Sequence, residues 1–276
     1  MASRRGARGG LRERLRVAPG RRVRLSGIDP SDTHGRTKAG SAAALEAGLQ
    51  RLGKLQDRLW AEAKHSLLIV LQGMDASGKD GTIRHVMSAF NPMGCPVASF
   101  KVPTAEELAH DFLWRIHPHA PAKGEIAVFN RSHYEEVLVV RVHELVPRAV
   151  WQGRYDQINA FEETVASGGA TVVKFFLHID RDEQRRRLQA RLDDPTKRWK
   201  FRTGDLIERK LWDGYMAAYE DALSRCSTGL APWYIVPASN KWFRNLAVAE
   251  IVGDVIEDLD PQYPQPTEDL SAIRIE

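Results

Sequence analysis

The sequence predicts a three-layer α/β/α fold around a mainly parallel five-stranded sheet, with a basic helical lid. Three observations carry this expectation. Short apolar runs alternate with helical stretches along most of the chain. The first run, Leu67 to Leu71, is apolar throughout, as a strand buried on both faces requires. That run leads directly into Gly73-Met74-Asp75-Ala76-Ser77-Gly78-Lys79, a glycine-rich turn opening a helix.

The elements follow in order. Leu45, Leu49, Leu52, Leu55, Leu59 and Trp60 recur at spacings of three and four, placing them on one face of a helix over residues 42–64. After the 67–71 strand, further strands are expected at Val97 to Val102, Ile126 to Phe129, Thr171 to Ile179 and Trp233 to Val236. Helices are expected between them at 82–89, 105–116, 134–143, 155–166, 181–192 and 206–224, and a last one at 240–259. Strand-helix alternation implies right-handed crossovers and helices on both sheet faces. Ligands of such sheets sit beyond the carboxyl ends of the strands, so residues just after each strand carry the functional expectation.

Composition sets the outer bounds. With 276 residues, 43% hydrophobic and 28% charged, the chain is too apolar to be disordered and too charged to be a membrane protein. No apolar run approaches the roughly 18 residues needed to cross a bilayer. The net charge is +4, but the first 24 residues hold nine arginines against Glu13 alone, which makes them +8 and leaves −4 for the rest. Residues 1–27 therefore read as an Arg/Gly-rich disordered tail, with a transit peptide as the alternative, residues 28–260 as one domain, and 261–276 as a C-terminal tail. Cys95 and Cys226 are too few for a disulfide framework, and a cytoplasmic protein is expected.

Three motifs carry chemistry. In Gly-x4-Gly-Lys, backbone amides around Gly73, Ala76, Ser77, Gly78 and Gly81 are expected to surround phosphate oxygens, aided by the helix dipole, with Lys79 supplying charge. Asp80 stands where Ser or Thr would ligate magnesium and reads first as a first-turn acid stabilising the helix dipole. Asp75 would repel phosphate unless a cation lies between them, which assigns it as a magnesium ligand with a positioning role. Thr82 and Arg84 extend the expected phosphate contacts. The second motif, Phe129 to Glu136, ends the third strand in the neutral Asn130. Arg131 faces the phosphates or, alternatively, pairs with Glu135 at helical spacing. His133 lacks a second ligand at metal spacing.

The third motif is the cationic stretch from Pro195 to Arg202, followed by Asp205, Arg209 and Trp212. It suits a lid closing over phosphates, spanning about 195–212, with Lys197, Lys200 and Arg202 as its phosphate contacts. Trp212 and Phe201 are expected to pack back onto the core. The arginines of 181–191 alternate with acids and read mostly as a salt-bridged solvent face, one or two of them facing the cleft.

Together, residues 73–81, 129–143 and 197–201, extended by Asp205, Arg209, Trp212, Tyr215 and the segment 231–241, resemble the polyphosphate kinase 2 family. The resemblance runs from about Val17 to Leu259. It implies a P-loop kinase fold and reversible phosphoryl transfer between inorganic polyphosphate and a nucleotide, in a homo-oligomer (dimer or tetramer). Asp75, Lys79 and Arg131 carry over as catalytic or phosphate-binding positions. The metal is magnesium, with manganese as an alternative. Asn130 with Glu135 and Glu136 resembles the class III members, which use AMP and ADP to make ADP and ATP. Those three and Arg209 are expected to bind or position the nucleotide, and guanine nucleotides are further candidates. No membrane or nucleic-acid partner is expected. An ATP-dependent nucleoside or nucleotide kinase, or an NTP-binding protein that engages nucleic acid through the Arg-rich start, are the competing readings.

Overall fold

A computed structural model describes residues 10–270 and 273–275. Its centre is a five-stranded sheet of β1 (Ser66–Gln72), β2 (Val97–Ser99), β3 (Ile126–Asn130), β4 (Ala170–His178) and β5 (Trp233–Pro237). The order is β2-β3-β1-β4-β5 and every pairing is parallel. All seven residues of β1 are buried, which is why its central run, Leu67 to Leu71, is apolar without alternation. Because the strands run the same way, their carboxyl ends share one edge.

The helices are α1 (Leu11–Leu15), α2 (Lys38–Glu62), α3 (Lys79–His85), α4 (Ala105–Leu108), α5 (Val139–Val142), α6 (Arg148–Ser167), α7 (Arg181–Asp193), α8 (Gly204–Lys210), α9 (Trp212–Arg225) and α10 (Lys241–Asp258). Thr37 caps α2 by accepting from the Gly40 amide at 3.2 Å, and Ala63 closes it in a left-handed conformation. Asp180 caps α7 through the Glu183 amide at 2.6 Å. Successive residues of β5 face opposite layers. Trp233 stacks edge-on against Tyr134 on the α6 side, and α1 and α10 pack against the other.

Four expected helices are shorter than their patterns: 82–89 ends its α-helix at His85 before a 3-10 turn, and 134–143 is a 3-10 turn at His133–Val137 followed by only Val139–Val142. The 105–116 helix stops after Leu108, since Asp111 accepts from the Leu113 amide at 2.9 Å and turns the chain, and Pro118 follows in a 3-10 turn. The 206–224 helix is split at Leu211 into α8 and α9. The break lets Trp212 turn into the core while Leu206 and Ile207 stay exposed. Phe201 is half-buried.

The expected disordered tail is corrected over residues 10–27; residues 1–9 lie outside the described part. Leu11, Leu15, Val17, Val23 and Leu25 are all in the core. The Val17 amide donates to Trp233 O at 2.8 Å, and Arg16 forms an antiparallel bridge with Tyr234, covering the otherwise open β5 edge. The dense arginines dominate the composition of this stretch, while the apolar residues between them pack into the core. Residues 261–270 and 273–275 form no helix or strand. Among the described residues no helix is long and apolar enough to cross a membrane. Both cysteines are buried and free.

Candidate phosphate-binding site

The loop between β1 and α3 is shaped by residues that tolerate unusual backbone. Gly73 has φ 150°, and a Cβ there would lie 2.8 Å from Leu177 O and 2.7 Å from Ser77 Oγ. Gly78 has φ 111°, and a Cβ would fall 1.9 Å from Arg244 Nη1. Ala76 and Arg131 are left-handed without being glycine, with φ of 65° and 62°. Such conformations cost on the order of 1 kcal/mol each and concentrate where a ligand is gripped.

Inside the loop Lys79 is buried and donates to Gly73 O at 2.6 Å. Burial, followed by the neighbouring Arg131 charge, lowers its pKa to about 8 against the pull of Asp75, Glu135 and Asp80. Arg131, at the end of β3, donates through Nη2 to Asp75 Oδ1 at 2.7 Å and through Nη1 to Glu135 Oε2 at 3.4 Å. The alternative pairing of Arg131 with Glu135 is thus present, alongside its ion pair with Asp75. Burial works against its charge, but the Glu135 and Asp75 carboxylates outweigh it and raise its pKa. Gln72 fixes the other Glu135 oxygen at 3.1 Å. Asp75, Lys79, Arg131 and Glu135 therefore form one charged cluster at the β1 and β3 carboxyl ends.

The remaining expected residues divide. Asn130 donates to Asp80 Oδ1 at 2.9 Å, so this pair closes the β3 side of the loop. Thr82 does not reach the loop's open side: it is fully buried and its hydroxyl donates back to Gly78 O at 3.2 Å. Arg84 is exposed in the last turn of α3, well over a turn beyond the loop. Glu136 turns away to accept from Arg154 at 2.5 Å, and burial raises its pKa despite that partner. Arg209 donates to Arg181 O at 2.6 Å and to Gln184 Oε1 at 3.0 Å, and Gln184 in turn donates to Asp75 O at 3.1 Å. In the expected lid, Lys197 pairs with Asp194, and Lys200 lies over the exposed Trp199 ring at 5.0 Å. Arg202 is exposed.

Sequence reasoning missed the residues that brace the loop from behind. Arg187 donates to Ala76 O and Ser77 O at 3.0 and 2.8 Å, and to Ala238 O and Ser239 O at 2.6 and 3.0 Å. The sequence leaves one or two of the 181–191 arginines turned inward without marking which; Arg187 is turned inward, while its neighbours Arg185 and Arg186 pair with Asp182 and Glu183 on the surface. Arg244 is 2% exposed and has no carboxylate partner among the described residues, its guanidinium meeting Asn245 Oδ1 at 2.8 Å. Burial, then Arg187, lowers its pKa to about 10. The only sequence signal was the close glycines Gly78 and Gly81, which leave room for it.

Among the described residues no group of three or more His, Cys, Asp and Glu stands ready for a metal ion. A single carboxylate suits magnesium, which keeps several waters and is commonly held by one or two carboxylates plus substrate phosphates. Asp75 has one oxygen on Arg131 and its other oxygen unassigned, so the residues present fit that mode.

The family model described as Polyphosphate kinase 2 matches residues 36–264. An AMP/ADP-polyphosphate phosphotransferase of Meiothermus ruber is 55% identical over 96% of this chain and its own full length. An ADP-polyphosphate phosphotransferase of Rhodopseudomonas palustris is 48% identical over 81% of both chains. The crystal structure of polyphosphate kinase 2 from Arthrobacter aurescens TC1 superimposes with a TM-score of 0.92 at 45% identity, covering 96% of this chain and 95% of its own. With the family model matching residues 36–264 and relatives 45 to 55% identical along almost the whole chain, this chain belongs to the polyphosphate kinase 2 family.

Proposed function

We propose that this chain moves the terminal phosphoryl group of inorganic polyphosphate onto AMP and ADP, giving ADP and ATP, and runs the reaction in both directions. The observation that carries the reading is the Arg131–Asp75 ion pair set beside Lys79, which is folded into the loop between β1 and α3. The names of the relatives supply the donor and acceptor classes.

The chain's own residues account for the chemistry in steps. The loop amides and the α3 dipole bind the phosphates of the donor. Lys79 brings a positive charge to the transferred group, and Arg131 presents a planar fork that can span two of its oxygens. Phosphoryl transfer passes through a loose transition state, so alignment and charge neutralisation supply the acceleration and no side-chain nucleophile is needed. Magnesium, bound through Asp75, would neutralise charge on the phosphate oxygens. Gln184 and Arg209 orient Asp75 from the α7 side, while Gln72 and Glu135 hold Arg131 from below. The 195–212 segment, with Lys197, Lys200 and Arg202, serves as the cover that excludes water. The assembly is a homo-oligomer in the cytoplasm.

The test is direct. Purified protein with AMP, magnesium and polyphosphate, without ATP, yields ADP and then ATP. If phosphorylated nucleotide forms only when ATP is the donor, the chain is an ATP-dependent nucleotide kinase instead.

A further inference from the structure

The ordered N-terminal segment builds a second cationic feature away from the phosphate loop. A groove of about 520 Å³ is lined by Arg14, Arg16, Arg21, Arg22 and Arg24, with Asp29 and Asp32 as its acids. Both aspartates are committed to their own turns: Asp29 accepts from the Ser31 amide and hydroxyl at 2.8 and 2.7 Å, and Asp32 from the His34 amide at 2.7 Å. Among the described residues Arg16, Arg21, Arg22 and Arg24 make no salt bridge.

The backbone carrying these arginines is fixed. Val17 is tied to Trp233 O at 2.8 Å and accepts from Ser227 Oγ at 2.7 Å; the Val23 amide donates to Ser224 Oγ at 2.9 Å, and the Leu25 amide to Glu220 Oε1 at 2.7 Å. With five arginines against two aspartates the groove carries a net positive charge, which attracts a polyanion. The groove is also joined to the phosphate loop. Its far wall continues into Pro30 and Ser31, whose carbonyls accept from the Ser239 amide at 3.0 Å and Asn240 Nδ2 at 2.9 Å. Arg187 then ties Ala238 and Ser239 to Ala76 and Ser77.

We propose that this groove is a holding site for the distal stretch of a long inorganic polyphosphate chain whose reacting end lies in the phosphate loop. The proposal rests on the donor class named under Proposed function. Polyphosphate is favoured over single-stranded nucleic acid because no Phe, Tyr or Trp lines the groove, whereas base stacking on aromatic rings accounts for much of sequence-tolerant nucleic-acid binding. The four arginines precede residue 36, where the family model begins to match, while Ile235 and Pro237 on the opposite wall lie within it. Tethering at a second site raises the effective concentration of the chain end without altering the chemical step.

The experiment compares wild type with a variant carrying Arg16→Gln, Arg21→Gln, Arg22→Gln and Arg24→Gln. Equilibrium binding of fluorescently labelled long-chain polyphosphate, without nucleotide, reads the groove whether or not turnover occurs. The variant is expected to bind about tenfold more weakly at low salt, with a log-log salt slope smaller by roughly three, as four lost phosphate contacts imply. In turnover, KM for long-chain polyphosphate rises several-fold, while kcat, and KM for a short oligophosphate that fills only the loop, stay as in wild type. Arg21→Gln with Arg22→Gln alone gives about half the effect and guards against a folding defect in the larger variant, which a melting curve detects. Equal long-chain affinity and equal slope in wild type and variant would overturn the proposal. So would loss of single-stranded RNA binding with polyphosphate binding retained. Failure of polyphosphate to phosphorylate AMP in wild type, with the binding difference present, refutes only the donor assignment.

Discussion

Arg131 holds Asp75 through a 2.7 Å hydrogen bond between Nη2 and Oδ1, across the 56 residues that separate the two in the chain. Without phosphates the pair satisfies both charges, and a donor with its metal would divide it, the arginine going to phosphate oxygens and the carboxylate to the cation. Each group then acts on charge that develops during transfer. Replacing Asp75 by Asn or Arg131 by Lys is expected to lower kcat by about 10²- to 10³-fold, the usual loss for one preorganised charge contact. Melting temperature should change little because both side chains are partly exposed. Steady-state kinetics of the two variants check this, and kcat within threefold of wild type in either would remove it from the machinery.

Lys79 gives a pH prediction. Its pKa is lowered to about 8 by burial, so the loop lysine of the free protein loses its charge as the pH rises through 8. kcat/KM for polyphosphate reports the free protein and is expected to fall on the alkaline side of about 8. Bound phosphate favours the charged lysine, so the corresponding limb in kcat moves to higher pH. Profiles of both constants between pH 6.5 and 10 test the pair of statements; coincident limbs would contradict the assignment.

The front of this site was legible in the sequence because it is local. Gly73, Gly78 and Lys79 sit at fixed spacing after an apolar run, and Arg131 follows a strand end. The back of the site is made by tertiary contacts between segments more than 100 residues apart, as Arg187 to Ser77 and Arg244 to Gly78, and no spacing rule encodes those. Residues 10–27 failed for a different reason. Their arginines set the composition, yet five apolar side chains between them reach the core, and composition averages over the alternation that decides packing. The splitting of 206–224 at Leu211 reflects where the core ends, which helical periodicity does not mark.

Arg244 yields a trade between stability and function. A guanidinium that is 2% exposed and lacks a carboxylate partner among the described residues costs folding free energy. Arg244→Met should therefore raise stability by about 1 kcal/mol, in line with relieving strain at a functional position. The positive potential behind the glycines is lost with it, and KM for polyphosphate should increase about tenfold with a smaller change in kcat. Urea denaturation and initial rates measure both. A variant that is less stable with unchanged KM would make Arg244 a packing residue only.

The final prediction concerns the ionic cluster under the β3 exit. Lys174 on β4 pairs with Glu162 on α6 and donates to Tyr134 Oη at 2.8 Å and Cys226 O at 2.6 Å, while His133 Nε2 lies 3.2 Å from Glu162 Oε1. His133 and Tyr134 directly follow the Arg131-Ser132 turn, so this cluster fixes the base of the arginine that faces the loop. Glu162→Gln leaves Lys174 buried without its counter-charge and is expected to cost about 3 to 5 kcal/mol. For a domain this size that lowers the melting temperature by roughly 10 °C. Burial lowers the His133 pKa despite Glu162, and Lys174 and His133 hold Glu162 low against its own burial. Both folded values lie below the unfolded ones, so the unfolded chain binds more protons and stability falls with pH, first below about 6.5 through the histidine and then below about 4.5 through the glutamate. Melting curves from pH 8 to 5 should show the first loss in wild type and a flatter response in His133→Gln; parallel curves would place His133 outside the titrating set.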